Sequence, residues 1–450
     1  MIRLNEYHAQ LNKSIFIKRI GQVRQFSGLS IEVTGLNATV GELCSIYPKR
    51  GEYQGNEAAE PIIAEVIGIG AGYLTLMPYG SVQGLAAGCE VVADGAYAEI
   101  GVGQELLGRV IDGFGQALDG LPPVRTQLKK PLKAAPINPM QRPRIEKVLE
   151  TGIRCIDSLL TIGKGQRVGI FAGSGVGKST LLGMVARHVK ADVNVIALIG
   201  ERGREVREFI DKQLGVEGMK RSVVVVATSD QPALARIRAA YAALAIAEYF
   251  RDQGLQVLLT MDSVTRFAMA RREVGLSAGE PPTARGYTPS VFAELPELCE
   301  RCGTADSGGA ITALMTVLVE GDDLNEPISD SLRSILDGHI VLARQLAHKG
   351  QYPAIDILKS VSRVMPDIVS QEQKMLAIET VKQMAVLERN RQMVDIGAYQ
   401  AGSNPALDQA LQIETQLLNW LKQDEGGFLR DQAIQNLGNI VGSQMARGRV

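Results

Sequence analysis

The sequence predicts an α/β protein of three parts: a small N-terminal β-barrel, a central domain on a parallel sheet, and a C-terminal helical domain. Three observations predict it. Short apolar stretches separated by glycines fill residues 1–95. From about residue 151, near-continuous β-branched runs alternate with helical stretches, the pattern of a buried parallel sheet. From about residue 370, apolar residues recur at helical spacing. The parts read as 1–95 for the barrel with a short leading segment, 96–370 for the central domain including a connector over 96–150, and 371–450 for the helices.

In the first part, "LSIEVTGL" (29–36), "AEVIGIG" (64–70), "GYLTLMPYG" (72–80) and "CEVVADG" (89–95) are the strand candidates. Their even spacing with turn signals suggests a barrel or sandwich. The opening "IRLNEYHAQLNK" reads equally as a short helix or a frayed terminus. The connector ends in the proline-rich "KKPLKAAPINPMQRPRIEK", which reads as extended chain over a domain surface. In the second part the strand candidates are "RVGIFA" (167–172), "VNVIALIG" (193–200), "SVVVVAT" (222–228), "QVLLTMD" (256–262) and "ITALMTVLVEG" (311–321). In the third, "SQEQKMLAIETVKQMAVLERNRQMV" is one helix, and "YQAGSNPALDQALQIETQLLNWLK" restarts another after a Gly/Ser/Asn/Pro break.

Composition narrows the function. A length of 450 residues suits two or three domains. The net charge is −1 and aromatics are 5%, so neither a global basic field nor base-stacking platforms are at hand, and no nucleic-acid partner is expected. No apolar run reaches the roughly 18–20 residues of a membrane span. The nearest, "AAYAALAIAEYF" (239–250), is bracketed by Arg236, Arg238, Glu248 and Arg251. The first residues lack the apolar core of a signal peptide, so a cytoplasmic location is expected. Five scattered thiols are not a disulfide framework. Cys299-Glu-Arg-Cys302 lacks two further nearby zinc ligands, although a helix there would put both thiols on one face.

The chemistry is carried by "FAGSGVGKST" (171–180). The phosphate-loop pattern G-x-x-x-x-G-K-[ST] is met from Ala172 to Ser179, with Ala in place of the first Gly. Gly173, Gly175 and Gly177 let backbone amides turn toward an anion, and a helix starting near Lys178 points its positive end at the phosphates. A strand before and a helix after are the context the motif needs. Lys178 is then expected on the β- and γ-phosphates of ATP, and Ser179 on Mg²⁺. Asp262, ending an apolar strand, supplies the second carboxylate near the metal. Glu201 ends the strand of "IGERGREVREF" and is the candidate general base for water. For Glu205, Arg207 and Glu208 a solvated helix start stands beside a part in the site.

"GERGREVREF", "MDSVTRFAMARREVGLSAGEPPTARGYTPSVF" and "YPAIDILKSVSRVMPDI" together resemble the type III protein-export ATPases, relatives of the rotary ATP synthase catalytic subunit with a RecA-like phosphate-loop domain. The likeness covers nearly the whole chain. "DIGAYQAGSNPALDQAL" (395–411) is more similar to the flagellum-specific branch than to the virulence-secretion branch. The resemblance implies that Gly173, Ser174, Gly175, Val176, Gly177, Lys178, Ser179 and Thr180 wrap the phosphates. It implies that Arg202 supports the charge network beside Glu201, Arg266 lies near the γ-phosphate, and Tyr352 stacks on adenine. Arg363 becomes an arginine finger reaching a neighbouring subunit, which requires a homohexameric ring. Further implied partners are a dimeric regulator at the N-terminal segment, a coiled-coil stalk protein at the ring centre, export gate proteins at the membrane and chaperone–substrate complexes. A peripheral location at the inner membrane follows from those partners. The acidic rotor-contact cluster of the synthase subunits is missing, with "LERNRQMVDIGAYQAGSNP" in its region, which argues against a rotary synthase. Near-zero charge argues against a hexameric nucleic-acid translocase.

Overall fold

The computed structural model describes residues 18–48, 60–319, 321 and 323–445. The expected leading helix lies outside the described residues.

Six strands close an antiparallel barrel: β1 (Arg19–Ser27), β2 (Ser30–Thr34), β3 (Glu42–Tyr47), β4 (Ile62–Gly70), β5 (Tyr73–Pro78) and β6 (Glu90–Tyr97), in the order β1-β2-β5-β4-β3-β6. Alternate residues point inward, as a barrel requires. Val23, Ile31, Val33, Ile46, Val66 and Leu76 fill it.

The connector is more than surface packing. Strand β7 (Glu99–Val102) pairs with β9 (Leu128–Pro131), while between them β8 (Val110–Ile111) joins the edge of the central sheet beside β14. Strands β10 (Val148–Leu149) and β11 (Ile162–Gly163) form a small ribbon. The sequence hides β8 because two apolar residues carry no periodicity.

The central sheet comprises β12 (Arg167–Ala172), β13 (Val193–Glu201), β14 (Ser222–Thr228), β15 (Gln256–Asp262), β16 (Gly303–Thr304), β17 (Ala310–Leu318), β18 (Gly338–Leu342) and β19 (Ile355–Ser362), with β8 at one edge. Its order is β19-β18-β12-β17-β15-β13-β14-β8, with β16 on β17. All the paired neighbours from β18 to β8 along that order are parallel; β19 runs antiparallel to β18. Buried on both faces, β13 and β17 need apolar residues throughout, which is why their sequences show no alternation.

Helix α1 (Lys178–His188) follows β12, α2 (Ala233–Asp252) crosses from β14 to β15, α3 (Val264–Ser277) leaves β15, and α4 (Pro289–Glu300) precedes β16. Helix α2 is buried on nearly every side because its alanines let the sheet, α3 and the connector approach closely. Of its bracketing charges, Glu248 pairs with Arg301 (2.8 Å), Arg251 with Asp252 (2.7 Å) and Arg236 with Glu273 (2.8 Å). Helix α4 ends at Glu300, so Cys302 lies beyond it and the shared helical face expected for the two thiols is not formed. Both are buried, and Cys299 Sγ donates to Met315 Sδ at 3.5 Å.

The last part holds α5 (Gln371–Asp395), α6 (Pro405–Leu421) and α7 (Arg430–Met445). The Gly/Ser/Asn/Pro break starts α6 by capping: Asn404 accepts from the N–H groups of Ala406 and Leu407, and Pro405 takes the first helical position. The Gln423 amide donates to Gly152 O (2.9 Å) and its Oε1 accepts from Arg154 N–H (2.9 Å), which ties the helices to the sheet. Among the described residues, no helix is long and apolar enough to cross a membrane.

Candidate active site

The carboxyl ends of β12, β13 and β15 converge on one ammonium group. Parallel sheets bind ligands beyond these ends, because the loops there open into a crevice. After Ala172 the chain turns through glycines at φ 78° (Gly175) and 87° (Gly177) before α1 begins at Lys178. Val176 is 1% exposed and pins the loop from below, while Ser174, Gly175, Ser179 and Thr180 face outward. Ala172 replaces the first Gly of the motif without backbone strain. It is still a strand residue, its side chain is buried, and its carbonyl accepts from Val319 N–H.

Lys178 Nζ lies 2.5 Å from Asp262 Oδ1 and 3.5 Å from Glu201 Oε1. Burial works to lower the Lys178 pKa, but the two carboxylates outweigh it and the net direction is upward. Asp262 is held in turn by Thr316, whose hydroxyl donates to Oδ1 at 2.7 Å. Glu201 is pushed up to about 7: burial is the largest cause, and the neighbouring Asp262 and Glu205 carboxylates add to it against the pull of Lys178. A carboxylate near 7 suits a group that takes a proton from water at neutral pH.

The flanking residues sit at graded distances from this centre. Arg266 opens α3, where the Ser263 hydroxyl accepts its N–H. Its side chain packs on Gly200, where a Cβ would stand 3.0 Å from Arg266 Cβ, so glycine is needed one residue before Glu201 both for that approach and for φ 70°. Arg202 is exposed and lies 3.6 Å from Glu205, touching the charge network through that residue. The Tyr352 ring lies against the phosphate loop: a Cβ on Gly177 would meet it at 3.3 Å. Gln423 N–H donates to Tyr352 O at 2.7 Å, so the C-terminal part holds the tyrosine in place.

Arg363 is not part of this cluster. It follows β19, and its N–H bonds to Asp337 O, while Asp337 N–H bonds to Arg167 O at the first residue of β12. Arg363 is therefore at the amino ends of the parallel strands, with the length of β12 between it and its own phosphate loop. At about 3.3 Å per residue that is about 17 Å or more. Its side chain is exposed, with Nη2 donating to Arg333 O at 3.1 Å.

Two hard oxygen donors, the Ser179 hydroxyl and the Asp262 carboxylate, belong to this site, and they suit Mg²⁺ rather than a softer ion. The loop, the α1 terminus and Tyr352 suit a nucleoside triphosphate.

Residues 152–362 match the nucleotide-binding domain of the ATP synthase alpha/beta family, and residues 369–438 match the T3SS EscN ATPase C-terminal domain. The flagellum-specific ATP synthase of Bacillus subtilis (strain 168) is 53% identical over 435 residues, covering 95% of this chain and 96% of that protein. The chain belongs to the type III export ATPases of the ATP synthase alpha/beta family. The flagellum-specific ATP synthase of Salmonella typhimurium is 48% identical over 429 residues, 93% of each chain. The type 3 secretion system ATPase of Xanthomonas euvesicatoria is 47% identical over 406 residues, 90% of each. Among solved structures, the assembled ATPase EscN of enteropathogenic E. coli superposes with a TM-score of 0.87 at 43% identity, covering 94% of this chain and 100% of that one. EscN in complex with its central stalk EscO gives 0.84 at 42% identity, with the same coverage.

Sequence reasoning missed Thr316, Glu205 as a neighbour that tunes Glu201, and Gln423 behind Tyr352. A threonine inside "ITALMTVL" carried a weak signal, since a hydroxyl in a fully buried strand needs a partner.

Proposed function

We propose that this protein hydrolyses ATP to power protein export through a flagellar type III secretion apparatus. The observation that carries the reading is the convergence of Lys178, Glu201 and Asp262 at the carboxyl ends of β12, β13 and β15, with Tyr352 against Gly177. The flagellar assignment is supported by relatives of that name at 53% and 48% identity over nearly the whole chain. A virulence injectisome is the second reading, favoured by the 47% identical secretion-system ATPase.

In this mechanism the backbone amides of residues 173–180 and the Lys178 ammonium bind the phosphates. Entering phosphate oxygens compete with Asp262 and Glu201 for Lys178. Ser179 and Asp262 would hold Mg²⁺, which neutralises phosphate charge when bound. Glu201, freed from Lys178, accepts a proton from the attacking water. Arg202 supports charge beside Glu201, Arg266 lies near the γ-phosphate, and Tyr352 supplies the adenine face. Arg363, remote from its own site, acts on the nucleotide of a neighbouring copy, so the working unit is a homohexameric ring. The EscN likeness supports the ring, and the EscO complex supports a central stalk, here proposed to be a coiled-coil protein. A dimeric regulator at the N-terminal segment, gate proteins and chaperone–substrate complexes complete the proposal. They would place the ring at the cytoplasmic face of the inner membrane.

The test is Glu201→Gln in the native organism, scored by flagellin and hook protein in the medium and by swimming, with each flagellar system scored separately. Loss of both with the variant protein soluble and abundant is expected. Normal flagella would refute the flagellar assignment and turn the same assay to virulence substrates.

A further inference from the structure

A cavity of about 450 Å³ lies where the barrel, the connector and the faces of α2, α3 and α4 meet. That is within the size range of small-molecule sites. Its walls are mainly apolar, built from Val66, Ile67, Leu132, Leu234, Ile237 and Val274. It is separate from the phosphate loop, none of whose residues line it.

The polar side chains of this cavity that are shielded from water are paired, with one exception; Lys133 and Tyr97, also in the lining, are exposed. Tyr79 donates to Glu65. Glu294 accepts from Tyr241 at 3.2 Å and lies 2.9 Å from Arg271. Arg238 is the exception. It is 6% exposed, and its Nε and Nη2 donate at 2.9 Å to two backbone carbonyls, of Gly113 and Glu99. Its Nη1 is buried without a hydrogen-bond partner. Of the four charges that bracket the apolar run of α2, the other three have opposite-charge partners; Arg238 has none among the described residues. Instead it lies over the Phe114 ring at 4.3 Å and the Tyr79 ring at 5.6 Å. This buried cation has no carboxylate in ion-pair contact; it is offset by carbonyl dipoles, ring faces and the Tyr79 hydroxyl, which itself donates to Glu65, and an anion in the adjoining space would compensate it further.

We propose that this cavity is a second ligand site, which takes a small amphipathic carboxylate: an apolar body against the Val66, Ile67 and Ile237 wall, and one carboxylate on Arg238. Such a ligand would touch α3 through Val274. The same helix carries Arg266 two turns earlier, about 12 Å away at 1.5 Å per residue, so occupancy bears on an element of the catalytic site.

The probe is decanoate, with 1-decanol as the uncharged match, titrated calorimetrically into the full-length protein below the micelle concentration. One site per chain is expected, with decanoate about tenfold or more tighter than decanol, as a charge-assisted hydrogen bond supplies. Arg238→Met should bring the two affinities together. Should that variant fail to fold, Ile67→Trp at the half-buried wall keeps Arg238 and fills the space, and should abolish binding of both probes. Equal affinity for the two probes, no binding of decanoate, or tight decanoate binding in either folded variant overturns the proposal. So does binding that vanishes when the protein assembles into rings, which would assign the cavity to a neighbouring copy.

Discussion

The raised pKa of Glu201 makes a kinetic prediction that an ordinary carboxylate would not. A group at about 7 is ionised in about nine molecules in ten at pH 8 and in about one in ten at pH 6. If ionised Glu201 takes the proton from water, kcat/KM for ATP falls about tenfold between those pH values, because that ratio reports the free enzyme. A carboxylate at its usual 4.5 would leave the rate unchanged over the same range. The assay is steady-state phosphate release from pH 5.5 to 8.5, at protein concentrations where assembly is verified at each pH. The terminal phosphate of the nucleotide also titrates near 6, so the limb needs an owner. Glu205→Gln provides one: Glu205 raises the Glu201 pKa by its charge and its hydrogen bond, so its removal should move the acid limb to lower pH. A limb that stays in place, or a profile flat to pH 5.5, would refute the role given to Glu201. The stability sign follows from the same shift. Below about 4.5 Glu201 is neutral folded or unfolded; above about 7 the folded state carries the cost of a buried charge. Its contribution therefore grows less favourable as pH rises between those values.

Arg363→Ala should remove the rise of specific activity with protein concentration and lower kcat by a factor of about 10³ or more; turnover by a verified monomer of the unaltered protein would sink the finger assignment. Tyr352→Ala should raise KM for ATP by about tenfold or more with a smaller effect on kcat, since base stacking on an aromatic ring is worth ~1–3 kcal/mol; nucleotide titration in the absence of turnover checks it. Thr316→Val deletes the hydroxyl that orients Asp262 and should lower kcat while the melting temperature changes little; an unchanged kcat would leave Thr316 a packing residue. Arg301→Met would leave Glu248 buried and unpaired and should destabilise the protein by ~3–5 kcal/mol, read as a lowered denaturation midpoint, while Arg301→Met with Glu248→Leu should recover most of it.

What was legible in the sequence follows from burial. Strands β12, β14 and β15 coincide with the apolar runs that announced them, because a strand covered on both faces has no room for polar residues. Strands β1 and β19 were not read. "RIGQVRQFS" leaves most of its side chains in water, and "IDILKSVS" is an edge strand whose second half is largely uncovered, so neither shows a continuous run. Lys178, Glu201 and Asp262 were legible because each ends or follows a strong strand, and strand ends in a parallel sheet share one crevice. Glu205 stands within a charged helix start, "GREVRE", whose exposed residues look alike in sequence. Its effect on Glu201 depends on which way that helix leaves β13. Arg238 looked like a boundary charge on an apolar run. Only the packing of the barrel and connector against α2 shows that it is buried.

The placement of Arg363 links the fold to the assembly. The phosphate loop must lie at the carboxyl ends of the parallel strands, since α1 begins there. Strand β19 runs antiparallel on the edge, so its own end, and Arg363 with it, must lie at the opposite pole. No side chain spans the intervening length of β12, and an arginine reaches about 7 Å at roughly its fully extended length. The topology thus excludes Arg363 from its own nucleotide for a reason that no loop adjustment removes. A second copy that presents its amino-end pole to this carboxyl-end pole is head-to-tail, and a head-to-tail contact closes into a ring or runs on as a filament. Closure distinguishes the two outcomes: in a ring every site faces the Arg363 pole of a neighbour, whereas a filament leaves one terminal site without. Activity that saturates as a single closed species forms, measured by light scattering in parallel with phosphate release, is the expected result, and activity that tracks open polymers of growing length would overturn it.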